Sequence, residues 1–162
     1  MQREDVLRIL SAATVTQGLE PTDLAVLLQQ ATVETVPQNW TVLAEGQRGE
    51  ALYVVLSGQL KVMLLALDRR QNPNRVQDIH LHTLTPGDCF GEYSLIDSEP
   101  VSASVIATAP VELLKITRDG FQAAAANNDR LAKTIYYNLL HILVRRLRKH
   151  NRELDLNLDV LE

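Results

Sequence analysis

The feature that most constrains this chain is a succession of short β-branched runs between residues 33 and 116. Val33 to Val36, Thr41 to Ala44, Ala51 to Leu56, Leu60 to Leu67, Val76 to Leu84, Val101 to Ala107 and Val111 to Ile116 each have the composition of a strand. Turn residues separate them: Pro37-Gln38-Asn39, Glu45-Gly46, Ser57-Gly58, Asn72-Pro73-Asn74, Pro86-Gly87 and Ala109-Pro110. Strands this short, at this spacing, are expected to close as a sandwich or a jelly-roll barrel. The flanks are helical. Val6, Leu7, Ile9 and Leu10 give the first segment an apolar face, and Gly18 breaks it. Pro21-Thr22-Asp23 opens a second helix with Leu24, Leu27 and Leu28 facing inward, and Glu20 or Thr22 is placed to help its N-terminus.

Beyond Arg118 a short helix holds Phe121 to Ala126, Asn127-Asn128-Asp129 form a break and a cap, and a long helix follows. Tyr137, Leu140, Val144, Leu147, Asn151, Leu154, Leu158 and Leu161 alternate by three and four, which is a heptad seam. A second apolar face, Leu131, Ile135, Leu139 and Ile142, exists only early. The helix is therefore expected to lie on the barrel to about Ile142 and then to need a partner along the seam alone. A β-branched Val144, flanking leucines and one core asparagine favour a parallel two-stranded coil over residues 137–161. The other reading is one amphipathic helix lying on its own barrel. The expected class is α+β: N-terminal helices over 1–30, a β-roll over 31–117, and C-terminal helices with a dimerisation helix over 118–162.

A net charge of −4 argues against a general polyanion binder. Arg145, Arg146, Arg148, Lys149 and Arg152 go around the helix instead of forming a stripe, so they suit a solvated surface better than a nucleic acid. One cysteine fits a reducing compartment, no apolar run is long enough to span a membrane, and Met-Gln-Arg-Glu-Asp lacks a signal-peptide layout. The expectation is a cytoplasmic protein without membrane or nucleic-acid partners.

Residues 86–107 carry the chemistry. Pro86-Gly87-Asp88 is a turn, Phe90-Gly91-Glu92 opens a short helical run, and Val101 to Ala107 returns to strand. A glycine at a helix start lets N–H groups approach an anion, and a carboxylate beside it accepts from sugar hydroxyls. This stretch resembles the phosphate-binding cassette of the cyclic-nucleotide-binding domain family, of the bacterial catabolite-activator type. The family pattern is Phe-Gly-Glu, two variable residues, Leu, then Pro-Arg-(Ser or Thr)-Ala. Phe90, Gly91, Glu92, Leu95, Pro100, Ser102 and Ala103 fit it, while Val101 stands in the arginine position. Glu45-Gly46 followed by Leu52 to Gly58 looks like the family's central hairpin, and Asn39 takes a place usually held by glycine. The match runs from about residue 15 to about residue 152.

The resemblance implies a β jelly-roll (double-stranded β-helix) barrel with a cassette over 86–104, and cyclic AMP or another cyclic nucleotide as ligand. It implies that Glu92 binds the ribose 2′-hydroxyl, with Gly91, Tyr93, Ser102 and Ala103 near the phosphate. Val62, Leu81, His82 and Leu84 would line the base pocket, and His150 and Asn151 would meet the base. Arg146 falls where a helix arginine faces the cassette glutamate. Each has a plainer reading: Glu92 as a helix N-terminal charge, Ser102 and Ala103 as a strand start, the pocket positions as core, Arg146 as solvated, Asn151 as the coil's register residue. Cys89 is expected to be a buried, inert thiol. A basic residue such as Lys61 or Arg75 reaching in would offset the missing arginine.

Family transcription factors continue into a helix-turn-helix domain, and the chain ends at Glu162, so a stand-alone sensor or adaptor is expected. No catalytic arrangement is evident, and His80 and His82 on one strand face are weak evidence for a metal. Two readings remain: a homodimeric cyclic-nucleotide sensor with a degenerate cassette, and a dimerisation or protein-interaction module on the same fold.

Overall fold

The computed structural model describes residues 2–66, 76–97 and 99–158, with the helical backbone alone over 153–158. The N-terminal part comprises α1 (Arg3–Ala12), a 3-10 turn (Thr14–Thr16) and α2 (Pro21–Gln29). Among the described residues eight strands follow: β1 (Ala31–Val36), β2 (Thr41–Leu43), β3 (Ala51–Ser57), β4 (Leu60–Leu64), β5 (Ile79–Leu84), β6 (Cys89–Phe90), β7 (Ser104–Ala107) and β8 (Val111–Thr117). The short α3 (Tyr93–Ile96) lies between β6 and β7, and α4 (Arg118–Ala125) and α5 (Asp129–Leu158) close the fold. Two antiparallel four-stranded sheets, ordered β1-β8-β3-β6 and β2-β7-β4-β5, face each other as a jelly roll.

β3 shows why the sequence folds this way. Its run Ala-Leu-Tyr-Val-Val-Leu is apolar throughout because both faces are covered. Leu52, Val54 and Leu56 pack with the helices, in the cluster that holds Leu10, Leu27, Phe121, Leu131 and Ile135. Ala51, Tyr53 and Val55 point into the space between the sheets, with Leu60, Phe90 and Leu113. Successive side chains alternate faces, so one strand serves two cores.

The helices follow their apolar patterns. Val6, Leu10, Leu24 and Leu27 are buried, and the Asp23 carboxylate accepts the Glu20 N–H at the start of α2. Asp23 also accepts from Asn128 Nδ2 at 2.8 Å and from Arg130 Nη2 at 2.7 Å, tying α2 to the start of α5. The Asn128 side chain caps α5 by accepting the Leu131 N–H at 3.0 Å. Leu131, Ile135, Leu139 and Ile142 are all buried, and Asn138 Nδ2 donates to the Val15 and Gln17 carbonyls, fixing the helix to the 3-10 turn. Asn39 sits at φ 67°, the left-handed region that asparagine tolerates best after glycine.

Some boundaries differ from expectation. The chain returns to strand at Ser104, not Val101, because the Val101 N–H and C=O are taken by Gln47 O and the Gly46 N–H in the facing loop. Cys89–Phe90 is a strand, and the cassette helix starts later, at Tyr93. β4 is described to Leu64 and β5 begins at Ile79, while α4 begins at Arg118. Leu67, Arg75 and Leu161 lie outside the described residues, as do the side chains of Leu154 and Leu158.

Candidate functional site

The cassette is held open by its backbone. Gly87, at φ 92°, donates to Val55 O, and Val55 N–H donates to Asp88 O, so the turn is pinned to β3. β6 pairs with Tyr53 and Val54, and the Phe90 ring stacks on Tyr53 with centroids 4.9 Å apart. Gly91 lies at φ 74°, and a Cβ there would stand 2.4 Å from Ala51 O, so only glycine fits. The chain then turns into α3, where Ser94 Oγ donates to Gly91 O. The Arg118 guanidinium, at the start of α4, donates to the carbonyls of Ser94 and Asp97 and clamps the far end of α3.

Glu92 is 4% exposed, and it does not stand alone there. Arg146 of α5 donates from Nη1 to Glu92 Oε1 at 2.5 Å and from Nη2 to Cys89 O at 2.5 Å. A desolvated carboxylate needs such a charged donor. The fork therefore ties the cassette to α5. Burial, with the Glu92 charge next, pushes the Cys89 thiol up to about 12, so it stays protonated and unreactive.

Cassette, β-roll and α5 line an open cleft of about 800 Å3. Gly91, Glu92, Tyr93, Ser102 and Ala103 line it from the cassette. Val62, Leu81 and His82 line it from β4 and β5, and Arg146 and His150 from α5. Leu84 does not: it pairs with Leu60, is 1% exposed and belongs to the core between the sheets. Asn151 is exposed and is not on the cavity wall. Val101 lines the cavity beside Gly49 and Ser94: a Cβ on Gly49 would meet Val101 Cγ2 at 3.2 Å and Ser94 Cβ at 3.3 Å. Lys61 is not on the wall. Leu43, Phe90, Glu99 and Lys149 also line the cavity, and sequence reasoning did not single them out as ligand-facing. For Lys149 a signal was available, since it stands one helical turn from Arg146. Among the described residues no group of three His, Cys, Asp or Glu side chains is placed to hold a metal, and no helix is long and apolar enough to cross a membrane.

Burial, reinforced by Arg146 and then Lys149, pushes the His82 imidazole down to about 4. The folded value lies below the unfolded one of about 6.5, so between pH 6.5 and 4 the unfolded chain binds a proton that the folded chain refuses. Stability is expected to fall as pH drops through that window. Urea unfolding at successive pH values should show a smaller loss in His82→Leu than in the wild type. Equal losses would place His82 in an environment like water.

The sequence profile described as cyclic nucleotide-binding domain matches residues 33–128. The chain is 34% identical over 146 residues to a CRP-like cAMP-activated global transcriptional regulator of Mycobacterium tuberculosis, covering 90% of this chain and 60% of that protein. It superposes on the catabolite activator protein of Thermus thermophilus with a TM-score of 0.73 at 33% identity, covering 89% of this chain and 62% of that one. A cyclic nucleotide-binding domain from Methylobacillus flagellatus gives a TM-score of 0.79 at 25% identity, covering 94% and 82%. The chain thus spans about 60% of the length of the curated regulator it matches. With a profile match over most of its length and the jelly roll, cassette and long helix in place, the chain belongs to the cyclic nucleotide-binding domain family.

Proposed function

We propose that this chain is a non-enzymatic, homodimeric sensor module whose cavity binds a small ligand and whose cassette has a weakened grip on cyclic phosphate. The observation that carries the reading is the Arg146–Glu92 pair, which joins the cassette to the helix that bears the seam. Leu140, Val144 and Leu147 belong to that seam and also line the cavity. A ligand that changes how the cassette meets α5 would bias the packing of the seam, which is a population shift between two arrangements. The similarity to a cAMP-activated regulator of Mycobacterium tuberculosis supports cyclic AMP as the ligand class to test first. Val101 supports weak binding, since valine offers neither charge nor donor to a phosphodiester.

Dimerisation rests on the exposure of the seam. Tyr137, Leu140 and Leu147 are 61%, 59% and 60% exposed, while Leu131, Ile135, Leu139 and Ile142 on the other face of α5 are buried. Large apolar side chains in a row at heptad spacing suit a second copy of the same helix. In sedimentation the wild type is expected to run as a dimer at micromolar concentration. Leu147→Asp combined with Leu154→Asp should weaken the dimer at least about tenfold and leave a folded monomer, as a charge at each core position is desolvated without a partner. A wild type already monomeric under those conditions removes the dimer from this reading.

A further inference from the structure

α3 cannot set its own position. It has four residues, Tyr93–Ile96, and a helix that short does not hold in water by its own bonds. No side chain caps its start, because the Glu92 carboxylate is turned to Arg146 instead. The Asp97 N–H donates to Tyr93 O, and the helix goes no further, since the chain is extended at Asp97. The carbonyls at this end need donors from outside the helix. Tyr93 and Ser94 line the cleft, so the shape of the cleft depends on where α3 is held.

Arg118 supplies those donors. Its Nε donates to Ser94 O at 2.5 Å and its Nη2 to Asp97 O. A guanidinium can hold both at once because its N–H groups lie in one rigid plane. The base of the side chain is fixed as well. The Arg118 N–H donates to Glu50 O at 3.2 Å, and Thr117 caps α4 by accepting the Gly120 N–H at 3.0 Å. A Cβ on Gly120 would stand 2.7 Å from Gln30 O, so the start of α4 is pressed against the end of α2. Arg118 itself is not on the cleft wall.

We infer that Arg118 is a positioning residue for the ligand cleft: its fork on Ser94 O and Asp97 O holds α3 where Tyr93 and Ser94 face a ligand that Arg118 never touches. The inference rests on the reading of this cleft as a cyclic-nucleotide-type site. The cassette is then suspended between two helices, by Arg146 of α5 at Glu92 and Cys89 O and by Arg118 of α4 at the far end of α3. The two anchors differ in kind. Losing Arg146 strands a buried carboxylate, while losing Arg118 frees the Ser94 and Asp97 carbonyls and loosens α3.

The test compares the full chain with Arg118→Met and Arg118→Lys. Without ligand, hydrogen exchange followed residue by residue should be about tenfold faster at the Leu95 and Asp97 amides of Arg118→Met, relative to the amides of β3. A role in global stability alone would speed all amides by one factor, and that result overturns the inference. Arg118→Lys keeps the charge and loses the fork, so it should behave more like Arg118→Met than like the wild type. Exchange in Arg118→Lys equal to the wild type overturns the fork. Titrated with cyclic AMP, Arg118→Met should bind at least about fivefold more weakly than the wild type, because the loosened wall must be ordered on binding. A loosened α3 with unchanged affinity overturns the inference and leaves the ligand site standing. If the wild type binds no cyclic AMP, the reading of the cleft as a cyclic-nucleotide-type site falls and takes the inference with it.

Discussion

Val101→Arg is expected to tighten cyclic AMP binding at least tenfold, and the physical range allows far more. A cyclic phosphodiester carries one negative charge at neutral pH. In the family pattern an arginine meets it with a planar fork of donors that fits two phosphate oxygens. Removing one charged partner from a desolvated pair costs about 2–5 kcal/mol, or roughly thirty- to several-thousand-fold in affinity. What this chain offers in its place is the Ser102 hydroxyl and main-chain groups at Gly91 to Tyr93, all on the cavity wall. Val101 borders the open volume, so a longer side chain can extend into it without displacing the packed Gly49 and Ser94. Calorimetry on both chains reads the difference. An arginine that brings no gain would mean that the site departs from a phosphate pocket at more than one position.

Arg146→Met is expected to destabilise the fold by about 3 kcal/mol at neutral pH, because it leaves the Glu92 carboxylate buried without its charged donor. The Cys89 carbonyl loses a donor in the same step. Replacing both charges, Glu92→Gln with Arg146→Met, should recover most of that loss, since two neutral groups of similar size need no compensation. Denaturant unfolding of the four chains at one protein concentration closes the cycle. Additive losses would show that the pair is not coupled, against the geometry of a fork at 2.5 Å.

Much of this was legible in the residues, for reasons that can be named. β3 announces itself because a strand buried on both faces must be apolar throughout. The two faces of α5 separate: one packs on the core and ends at Ile142, while the other leaves Tyr137, Leu140 and Leu147 exposed. The pairing of Arg146 with Glu92 was legible through the family resemblance, and the cost of a lone buried carboxylate gives the physical reason for it. Other features had no local signal. Cys89–Phe90 is too short to show a period, and its pairing comes from β3. Val101 is β-branched yet not in a strand, because its backbone bonds go to the loop at Gly46 and Gln47. Leu84 carries a pocket-like residue type, but its pairing with Leu60 at the end of the hairpin turns it into the core. Asn138 reads as an ordinary polar helix position, and only the 3-10 turn brought against it explains its burial.

The most direct test is a titration of the unmodified chain with cyclic AMP. A cassette with valine in the arginine position should bind it in the range of tens of micromolar or weaker, about −6 kcal/mol or less favourable. Nanomolar binding by the unmodified chain would contradict this, since another cation would then have to do the work of the absent arginine.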